Sequence, residues 1–394
     1  MQPSLWIAAQ LSLSVAISNG VARFAYGLVL PAMREDLQWS YSTAGFLHTA
    51  NSIGYMVGAL VCVAWLRALP SAKGFRIGTY LVVGSLIATP VLEHLWHLSM
   101  VRSVTGFGSA WMVSFGAALV SHIYADSPSK RGTATGIYFS GAGFGMILSG
   151  GFVPPWLEYM GPSSWNIAWY ALGIGSLLLA LVPMRIAARA TPMASAPANA
   201  ATSRIPISPY LPCLVAYFLF GAGNNVYLTF LAAWIGERGQ TWHFVTLAWW
   251  VLGAGICLSP VIWSRALNTW PATRTLSTCL FATGIGVSAS FLGNSLAPIL
   301  LSAFLYGASL FIAPTSITLL ARSTRPPEEW ATYVALFSFV FSLGQSIGPW
   351  AAGVVADNFG LSVGMAFSAA IIVLGSALAN APSKAKELAY RSVS

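Results

Sequence analysis

Long apolar stretches, separated by short polar segments, follow one another along the whole of this 394-residue chain. Each is close to or above the roughly 20 residues that a helix needs to cross the hydrocarbon core of a membrane. The first six are Leu5 to Met33, Thr43 to Leu66, Phe75 to Leu92, Leu95 to Ile123, Gly132 to Pro155 and Ile167 to Met184. The next six are Pro209 to Ile235, Phe244 to Ala266, Thr273 to Leu292, Leu296 to Ala321, Ala331 to Val355 and Leu361 to Ala379. The pattern predicts an all-α integral membrane protein with twelve transmembrane helices.

The twelve stretches fall into two sets of six that share a weak internal repeat. A motif of the first helix recurs 201 residues later, so that Gly20, Arg23 and Tyr26 correspond to Gly221, Asn224 and Tyr227. Repetition of this kind is typical of transporters made of two equivalent halves. The segment between the two sets is rich in Ala, Pro and Ser, as flexible linkers are. We therefore predict two pseudo-symmetric six-helix halves, residues 1–188 and 208–394, joined by a cytoplasmic linker at 189–207.

Composition excludes an ordinary soluble protein, because 56% of the residues are hydrophobic and 7% are charged, against about 25% charged in a soluble domain. Topology explains the net charge of +9, since cytoplasmic loops of membrane proteins are rich in Lys and Arg. With the N-terminus inside, fifteen of the nineteen basic residues fall in cytoplasmic segments, whereas Arg34 and Arg238 fall on the other side. This distribution predicts that both termini are cytoplasmic, and it argues against a nucleic-acid partner. The fifteen residues are Arg67, Lys73, Arg76, Lys130, Arg131, Arg185, Arg189, Arg204, Arg265, Arg274, Arg322, Arg325, Lys384, Lys386 and Arg391.

Two arginines, Arg23 and Arg102, remain inside predicted helices. Arg23 comes eight residues before Pro31 and Arg102 eight residues after His94, so each lies roughly 12 Å below the same end of its helix. All ten Asp and Glu residues fall in loops or near the ends of spans, so neither arginine has an evident counter-ion. An arginine in the bilayer interior costs at least ~2.5 kcal/mol when it faces lipid. Both arginines are therefore expected to face the protein interior, a wet cavity or a ligand.

Several local motifs make the chain similar to the major facilitator superfamily. They are Arg102 to Ala110 in helix four, Ser127 to Gly132 at the start of helix five and Gly344 to Pro349 in helix eleven. Arg23 to Met33 in helix one resembles the YbfB/YjiJ-like bacterial branch. The resemblance implies a location in the bacterial inner membrane and a central cavity lined by helices one, four, seven and ten. Met146 stands where the antiporter motif of helix five has proline, so drug/proton antiport is not implied.

Arg23 is the first candidate for substrate binding, because its planar fork of donors suits a carboxylate, a sulfonate or a phosphate. The alternative is that it bonds only to backbone carbonyls or water. Arg102 has two interpretations as well. It either contacts the substrate or a coupled ion, or, as in the superfamily, braces helix four against carbonyls of helix one.

Neutral polar residues inside the spans are the remaining candidates. Each of them either hydrogen-bonds the substrate or fastens neighbouring helices together. His48 is a candidate for proton coupling, since it is the titratable group nearest a span interior. The neutral candidates are Tyr26, Asn51, Tyr138, Asn224, Asn225, Tyr227, Tyr306 and Gln345.

These observations predict a secondary active or facilitative transporter that carries a small organic anion by alternating access, as a monomer in the lipid bilayer. An exporter of drugs or amphipathic metabolites is the alternative, favoured by the aromatic content. An enzyme is not predicted, because the sequence has no nucleophile motif, phosphate loop or metal-ligand spacing. The four cysteines are scattered in apolar stretches, which suggests small buried side chains and neither a metal nor a cofactor.

Overall fold

A computed structural model describes residues 4–65, 69–189, 207–326 and 329–382. These residues contain twelve helices that are long and apolar enough to cross a membrane, which confirms the predicted fold class. The predicted linker, apart from Arg189 and Ile207, and the basic residues Arg67, Arg204, Lys384, Lys386 and Arg391 lie outside the described residues. The helices are α1 Leu5–Asp36, α2 Tyr41–Trp65, α3 Ser71–Ala88, α4 Leu95–Ile123, α5 Pro128–Met160, α6 Trp165–Arg189, α7 Leu211–Glu237, α8 Trp242–Thr269, α9 Ala272–Ala289, α10 Leu296–Thr324, α11 Trp330–Phe359 and α12 Leu361–Ala379.

Three of the helices are interrupted, which the hydrophobic pattern does not predict. In α1, the central segment Ala16–Phe24 is wound as a π-helix between two α-helical parts. α8 is interrupted at Trp263, and α10 is interrupted at Phe311. The break in α10 has a local cause: the ring of Pro314 clashes with the carbonyl four residues earlier, at Leu310, where the first part of the helix ends. π-helical segments are rare and often mark functional sites.

Helix packing follows the sequence repeat. Within the first six helices α4 packs against α2, and within the last six α10 packs against α8. Gly106 of α4 lies against the backbone carbonyl of Asn51. Gly307, which is 201 residues later, lies in the same way against the carbonyl of Leu252. The weak repeat in the sequence therefore corresponds to equivalent backbone contacts in the two sets of helices.

The two sets of helices meet along three pairs, α1 with α7, α2 with α11 and α5 with α8. Glycines allow backbones to approach closely at these contacts. A Cβ atom at Gly27 would contact the carbonyl of Leu228, and one at Gly45 would contact that of Pro349. Small residues at helix contacts are what membrane bundles use where burial of apolar surface gives no driving force.

One prediction concerns this packing. Gly54 of α2 lies against the backbone of Ser103 on α4, and a Cβ atom would contact the Ser103 carbonyl. Gly54→Ala is therefore expected to lower the free energy of unfolding by about 1–3 kcal/mol, because the neighbouring backbone must move. Thermal unfolding of the purified protein in detergent measures the change.

Gly84→Ala on α3 is the matched control, because a Cβ atom there has open space around it. Equal midpoints for Gly54→Ala and the unmodified protein would contradict the packing of α2 against α4 described above.

Candidate functional site

Arg23 lies in the π-helical segment of α1 and is buried, with 6% of its surface exposed. It is 13 residues from the end of α1 at Asp36, roughly 20 Å along the helix. Its Nη2 donates to Gln345 Oε1 of α11 at 2.6 Å and lies 3.5 Å from Ser52 Oγ of α2. The guanidinium also lies over the ring of Tyr55, 4.8 Å from its centroid. The charge is thus held between helices of the two sets by neutral groups.

Among the described residues, Arg23 forms no ion pair. The salt bridge found there joins Arg325 and Glu329, at the end of α10 and the start of α11. The Nε atom of Arg23 is buried and has no hydrogen-bond partner there. A buried charge of this kind carries an uncompensated desolvation cost unless a further group satisfies it. Among the described residues, Arg23 is thus surrounded by neutral partners.

Ser52 connects this arginine to α7. Its hydroxyl, besides facing Arg23, accepts from Asn225 Nδ2 at 3.3 Å. Asn225 is followed one turn later by Thr229, whose hydroxyl lies 3.1 Å from His48 Nδ1 of α2. A continuous set of contacts thus joins α1, α2, α7 and α11. We call it the central polar cluster, and its members are Arg23, His48, Ser52, Asn225, Thr229 and Gln345.

Arg102 is fully buried on α4. It contacts α1 at the depth of Arg23. Its Nη1 donates to the carbonyl of Ala22 at 2.8 Å, directly before Arg23. The guanidinium lies 5.1 Å from the ring centroid of Tyr26 and 5.3 Å from that of Trp169. Its Nε and Nη2 have no partner among the described residues. The hydrogen bond is the one expected of a brace between helix four and helix one, while two donors stay free for another group.

Two neutral candidates connect neighbouring helices. The hydroxyl of Tyr26 donates to the carbonyl of Ala44 at 2.7 Å, which links α1 to α2. Asn51 Nδ2 donates to the carbonyl of Arg102 at 3.0 Å, which links α2 to α4. Both contacts are interhelical, although the Oδ1 atom of Asn51 has no partner among the described residues.

The tyrosines of α7 and α10 form a second group beside the cluster. Tyr227 and Tyr306 have ring centroids 4.4 Å apart, and the Tyr227 hydroxyl lies 2.7 Å from Ser302 Oγ. The Tyr306 hydroxyl donates to the backbone carbonyl of Asn224 at 2.7 Å and also contacts its Oδ1. Asn224, the counterpart of Arg23 in the repeat, is therefore bonded to α10 through its own side chain.

Tyr138 is not brought to the cluster. Its hydroxyl donates to the carbonyl of Val113 at 3.0 Å and lies 3.4 Å from Ser14 Oγ. These contacts join α5 to α4 and α1. In this structure it connects helices.

Sequence reasoning missed Ser52, Tyr55 and Thr229. Ser52 and Tyr55 follow His48 at positions i+4 and i+7 of α2, so the three share one face of the helix. A polar stripe at that spacing inside an apolar helix was the available signal. Thr229 had no comparable signal, because a single threonine in a span usually bonds only its own backbone.

The two ends of the bundle differ. We call the end where α1 begins and α12 ends the termini face, and the other end the opposite face. A cavity of about 890 Å³ lies at the termini face, between α4 and α5 on one side and α8 and α10 on the other. Its lining includes the exposed residues Arg131 and Arg322 together with Phe139, Ile256 and Phe311.

The opposite face is closed by contacts between α2 and helices of the second set. The backbone N–H groups of Tyr41 and Ser42 donate to the carboxylate of Asp357 at 2.7 and 2.9 Å. These N–H groups stand at the start of α2, where a helix favours a negative charge. The Tyr41 hydroxyl also contacts Glu237, at the end of α7.

Comparison with known proteins identifies the family. Residues 15–380 match the family described as "Uncharacterised MFS-type transporter YbfB". The chain belongs to this family. It is thus a member of the YbfB-like MFS transporters, as the resemblance in helix one predicted.

Curated relatives of this YbfB-like protein include vesicular acetylcholine transporters. Those of Rattus norvegicus and Homo sapiens are 26% and 25% identical over 309 and 306 residues. The matched region covers 73% of this chain and 56% of each relative, so the chain spans little more than half the length of these proteins.

Solved structures share the fold over nearly the whole YbfB-like chain. A bacterial homologue of the human lysosomal transporter Spinster, inward-facing and unoccupied, gives a TM-score of 0.74 at 14% identity and covers 98% of both chains. The D-xylose-proton symporter gives a TM-score of 0.76 at 12% identity and covers 97% of this chain and 98% of its own. At these identities the likeness concerns the fold alone.

A prediction follows from the neutral environment of Arg23. Gln345→Glu replaces the amide that faces its guanidinium by an isosteric carboxylate. Because a carboxylate adds Coulombic attraction to a hydrogen bond that the charge of the guanidinium already strengthens, we expect thermal stability to rise by on the order of 1 kcal/mol. Differential scanning fluorimetry in detergent measures this.

Gln240→Glu, in the turn before α8, is the matched control for adding a carboxylate elsewhere. A fall in stability for Gln345→Glu alone would mean that the charge of Arg23 is already compensated.

Proposed function

We propose that this protein is a secondary transporter that carries a small organic anion across the membrane by alternating access. The observation that carries the proposal is Arg23, a buried arginine at mid-depth between the two sets of helices, without a carboxylate partner among the described residues. A ligand carboxylate or other anionic group would supply the missing partner. The guanidinium offers the donors to hold it in two parallel hydrogen bonds.

The surroundings support an anion. Arg102 lies at the same level and has two unpartnered donors, so the central region carries two positive charges. Arg131 and Arg322 line the cavity at the termini face, and positive charge along a cavity raises the local concentration of anions. We place that face in the cytoplasm of a bacterial cell because most of the basic residues fall in its segments.

The two faces support alternating access. The opposite face is held closed by Asp357, while the cavity lies at the termini face between the same two sets of helices. Exchange between a state open at the termini face and a state open at the opposite face requires the α2–α11 contact at the opposite face to separate. That contact includes glycine packing and hydrogen bonds to one exposed carboxylate, and it contains no ion pair among the described residues.

An exporter of organic cations or amphipathic drugs is the second candidate. It is favoured by the name of the relatives, since acetylcholine is a cation. A membrane site for a cation normally includes an acidic side chain, and all ten acidic residues of this chain fall in loops or near the ends of spans. The charge distribution therefore favours the anion.

The first prediction tests Arg23 directly. Arg23→Ala is expected to abolish anion binding while the protein remains folded, and Arg23→Lys to restore it poorly, because an ammonium cannot form the bidentate pair. Thermal shift against carboxylates, sulfonates, phosphates and organic cations measures binding, since a ligand at 100 times its Kd stabilises the protein by ~2.7 kcal/mol.

Arg185→Ala is the matched control, because Arg185 is exposed on α6. The anion proposal fails if Arg23→Ala responds to anions as the unmodified protein does. It also fails if only cations stabilise the unmodified protein, and the exporter then takes its place.

The second prediction tests the closed face. Asp357→Asn, on α11, removes the negative charge that faces the start of α2 and leaves one acceptor oxygen for the two N–H groups. We therefore expect the opposite face to open more often. Spin labels at Glu35 and Asn358, in a background with the four native cysteines replaced, report the separation across that face. Longer distances should gain population in the variant.

Glu158→Gln is the control for the loss of an exposed carboxylate at the same face. An unchanged distance distribution in Asp357→Asn would show that this carboxylate does not hold the face closed.

A further inference from the structure

We propose that His48 Nε2 and Asn225 Oδ1 accept hydrogen bonds from the substrate, which makes the substrate a hydroxylated organic anion. This inference rests on the proposed anion transport and assigns the class of anion. It starts from the hydrogen bonds of one threonine, which determine where the imidazole of His48 carries its proton.

Thr229 has a single hydroxyl hydrogen. That hydroxyl lies 2.6 Å from the backbone carbonyl of Asn225, which can only accept. The hydrogen is therefore used there, and the oxygen of Thr229 is left as an acceptor toward His48 Nδ1 at 3.1 Å. The ring must then carry its proton on Nδ1. In the neutral ring this leaves Nε2 as an acceptor without a hydrogen.

Nε2 has no hydrogen-bond partner among the described residues, although His48 is fully buried. Asn225 presents the same situation: its Nδ2 donates to Ser52, and its Oδ1 is buried without a partner. The two unsatisfied acceptors thus belong to neighbouring residues of α2 and α7, because His48 contacts Thr229 and Asn225 contacts Ser52. A buried acceptor left without a donor is destabilising, so a ligand that brings a donor is favoured over one that does not.

The residues with unpartnered acceptors belong to the same cluster as Arg23, which has no carboxylate partner among the described residues. His48 and Ser52 are one turn apart on α2, and Ser52 contacts both Arg23 and Asn225. A small molecule bound at this cluster would place an anionic group at Arg23 and a hydrogen-bond donor at His48 and Asn225. Such a molecule differs from a simple carboxylate, because it offers hydrogen-bond acceptors to Arg23 and also a hydrogen-bond donor to His48 and Asn225.

The positive charge of the site indicates that the donor of the substrate is a hydroxyl group. An ammonium group would be a third cation beside Arg23 and Arg102, with no carboxylate among the described residues of the cluster to offset it. A hydroxyl satisfies the same acceptors without adding charge. Hydroxy acids and sugar acids combine these groups.

Matched ligand pairs that differ by hydroxyl groups test the inference. The purified full chain is titrated by thermal shift with lactate and propionate, malate and succinate, and gluconate and hexanoate. Within at least one pair, the hydroxylated member should bind about tenfold more tightly, because sites built to bond a hydroxyl reject analogues that lack it.

Two variants of His48 separate its nitrogens. His48→Asn keeps a donor near the position of Nδ1 for Thr229 but removes the acceptor at Nε2, so the tenfold ratio should fall to about one through weaker binding of the hydroxylated member. His48→Gln places an amide oxygen near the position of Nε2 and should keep most of the affinity ratio within the pair. Because neither side chain titrates, a difference between the two variants reports on the acceptor and not on a proton. Ser149→Ala, whose hydroxyl bonds only the carbonyl of Met146, is the control and should keep the ratio.

Each outcome decides one step. Equal affinities within every pair would overturn this inference and leave anion transport standing. A hydroxyl preference that persists in His48→Asn would overturn the role of Nε2. Tighter binding of alanine than of lactate would replace the hydroxyl by an ammonium. No stabilisation by any carboxylate, sulfonate or phosphate would remove the proposed function itself.

Discussion

The guanidinium of Arg23 lies at mid-depth in a bundle whose spans have acidic residues only near their ends. The surrounding helices must therefore supply the hydrogen bonds that solvate this charge. Lipid cannot solvate it, so the residue must point into the protein. The π-helical winding of Ala16–Phe24 places it there, between α2 and α11. Neutral oxygens of Ser52 and Gln345 then replace part of its hydration. These contacts join helices of the two sets, between which the proposed alternating access would take place.

Neutral partners suit a moving interface better than a salt bridge does. A glutamate at position 345 would pair with Arg23 in the low-dielectric interior, and separating the two charges would be costly. An amide oxygen gives up its hydrogen bond at a much lower cost, and the proposed substrate anion would then take its place. The amide therefore keeps the guanidinium in position in the empty protein and leaves its charge available to a ligand. The same reasoning applies to Ser52, which shares its hydroxyl between Arg23 and Asn225.

The sequence predicted those parts of the structure that depend on local composition. Membrane spans follow from apolar length, and Arg23 stands out because a charge in an apolar stretch is costly wherever the chain goes. The π-helical segment and the contact of Asp357 with the start of α2 depend on how distant helices meet, and no short stretch encodes them. Ser52 and Thr229 became members of the central polar cluster for the same reason, since a hydroxyl that bonds its own helix and one that bridges two helices look alike in sequence. Arg102 was ambiguous until its partner, the carbonyl of Ala22, could be located.

The pseudo-symmetry of the fold makes the asymmetry of the charges informative. Residues 201 positions apart pack in equivalent ways, as Gly106 and Gly307 do, yet the arginine of the first half is replaced by Asn224 in the second. Asn224 is bonded to Tyr306, so it contributes structure to α7 and no charge to the interface. The first set of helices therefore brings the cations, and the second brings Gln345, Asn225 and Thr229, which are neutral. In the proposed transporter, a ligand held between the sets would meet both cations and His48 on the first set, and neutral hydrogen-bonding groups on the second. Movement of one set against the other would then separate these groups, which would couple release of the ligand to the change in access.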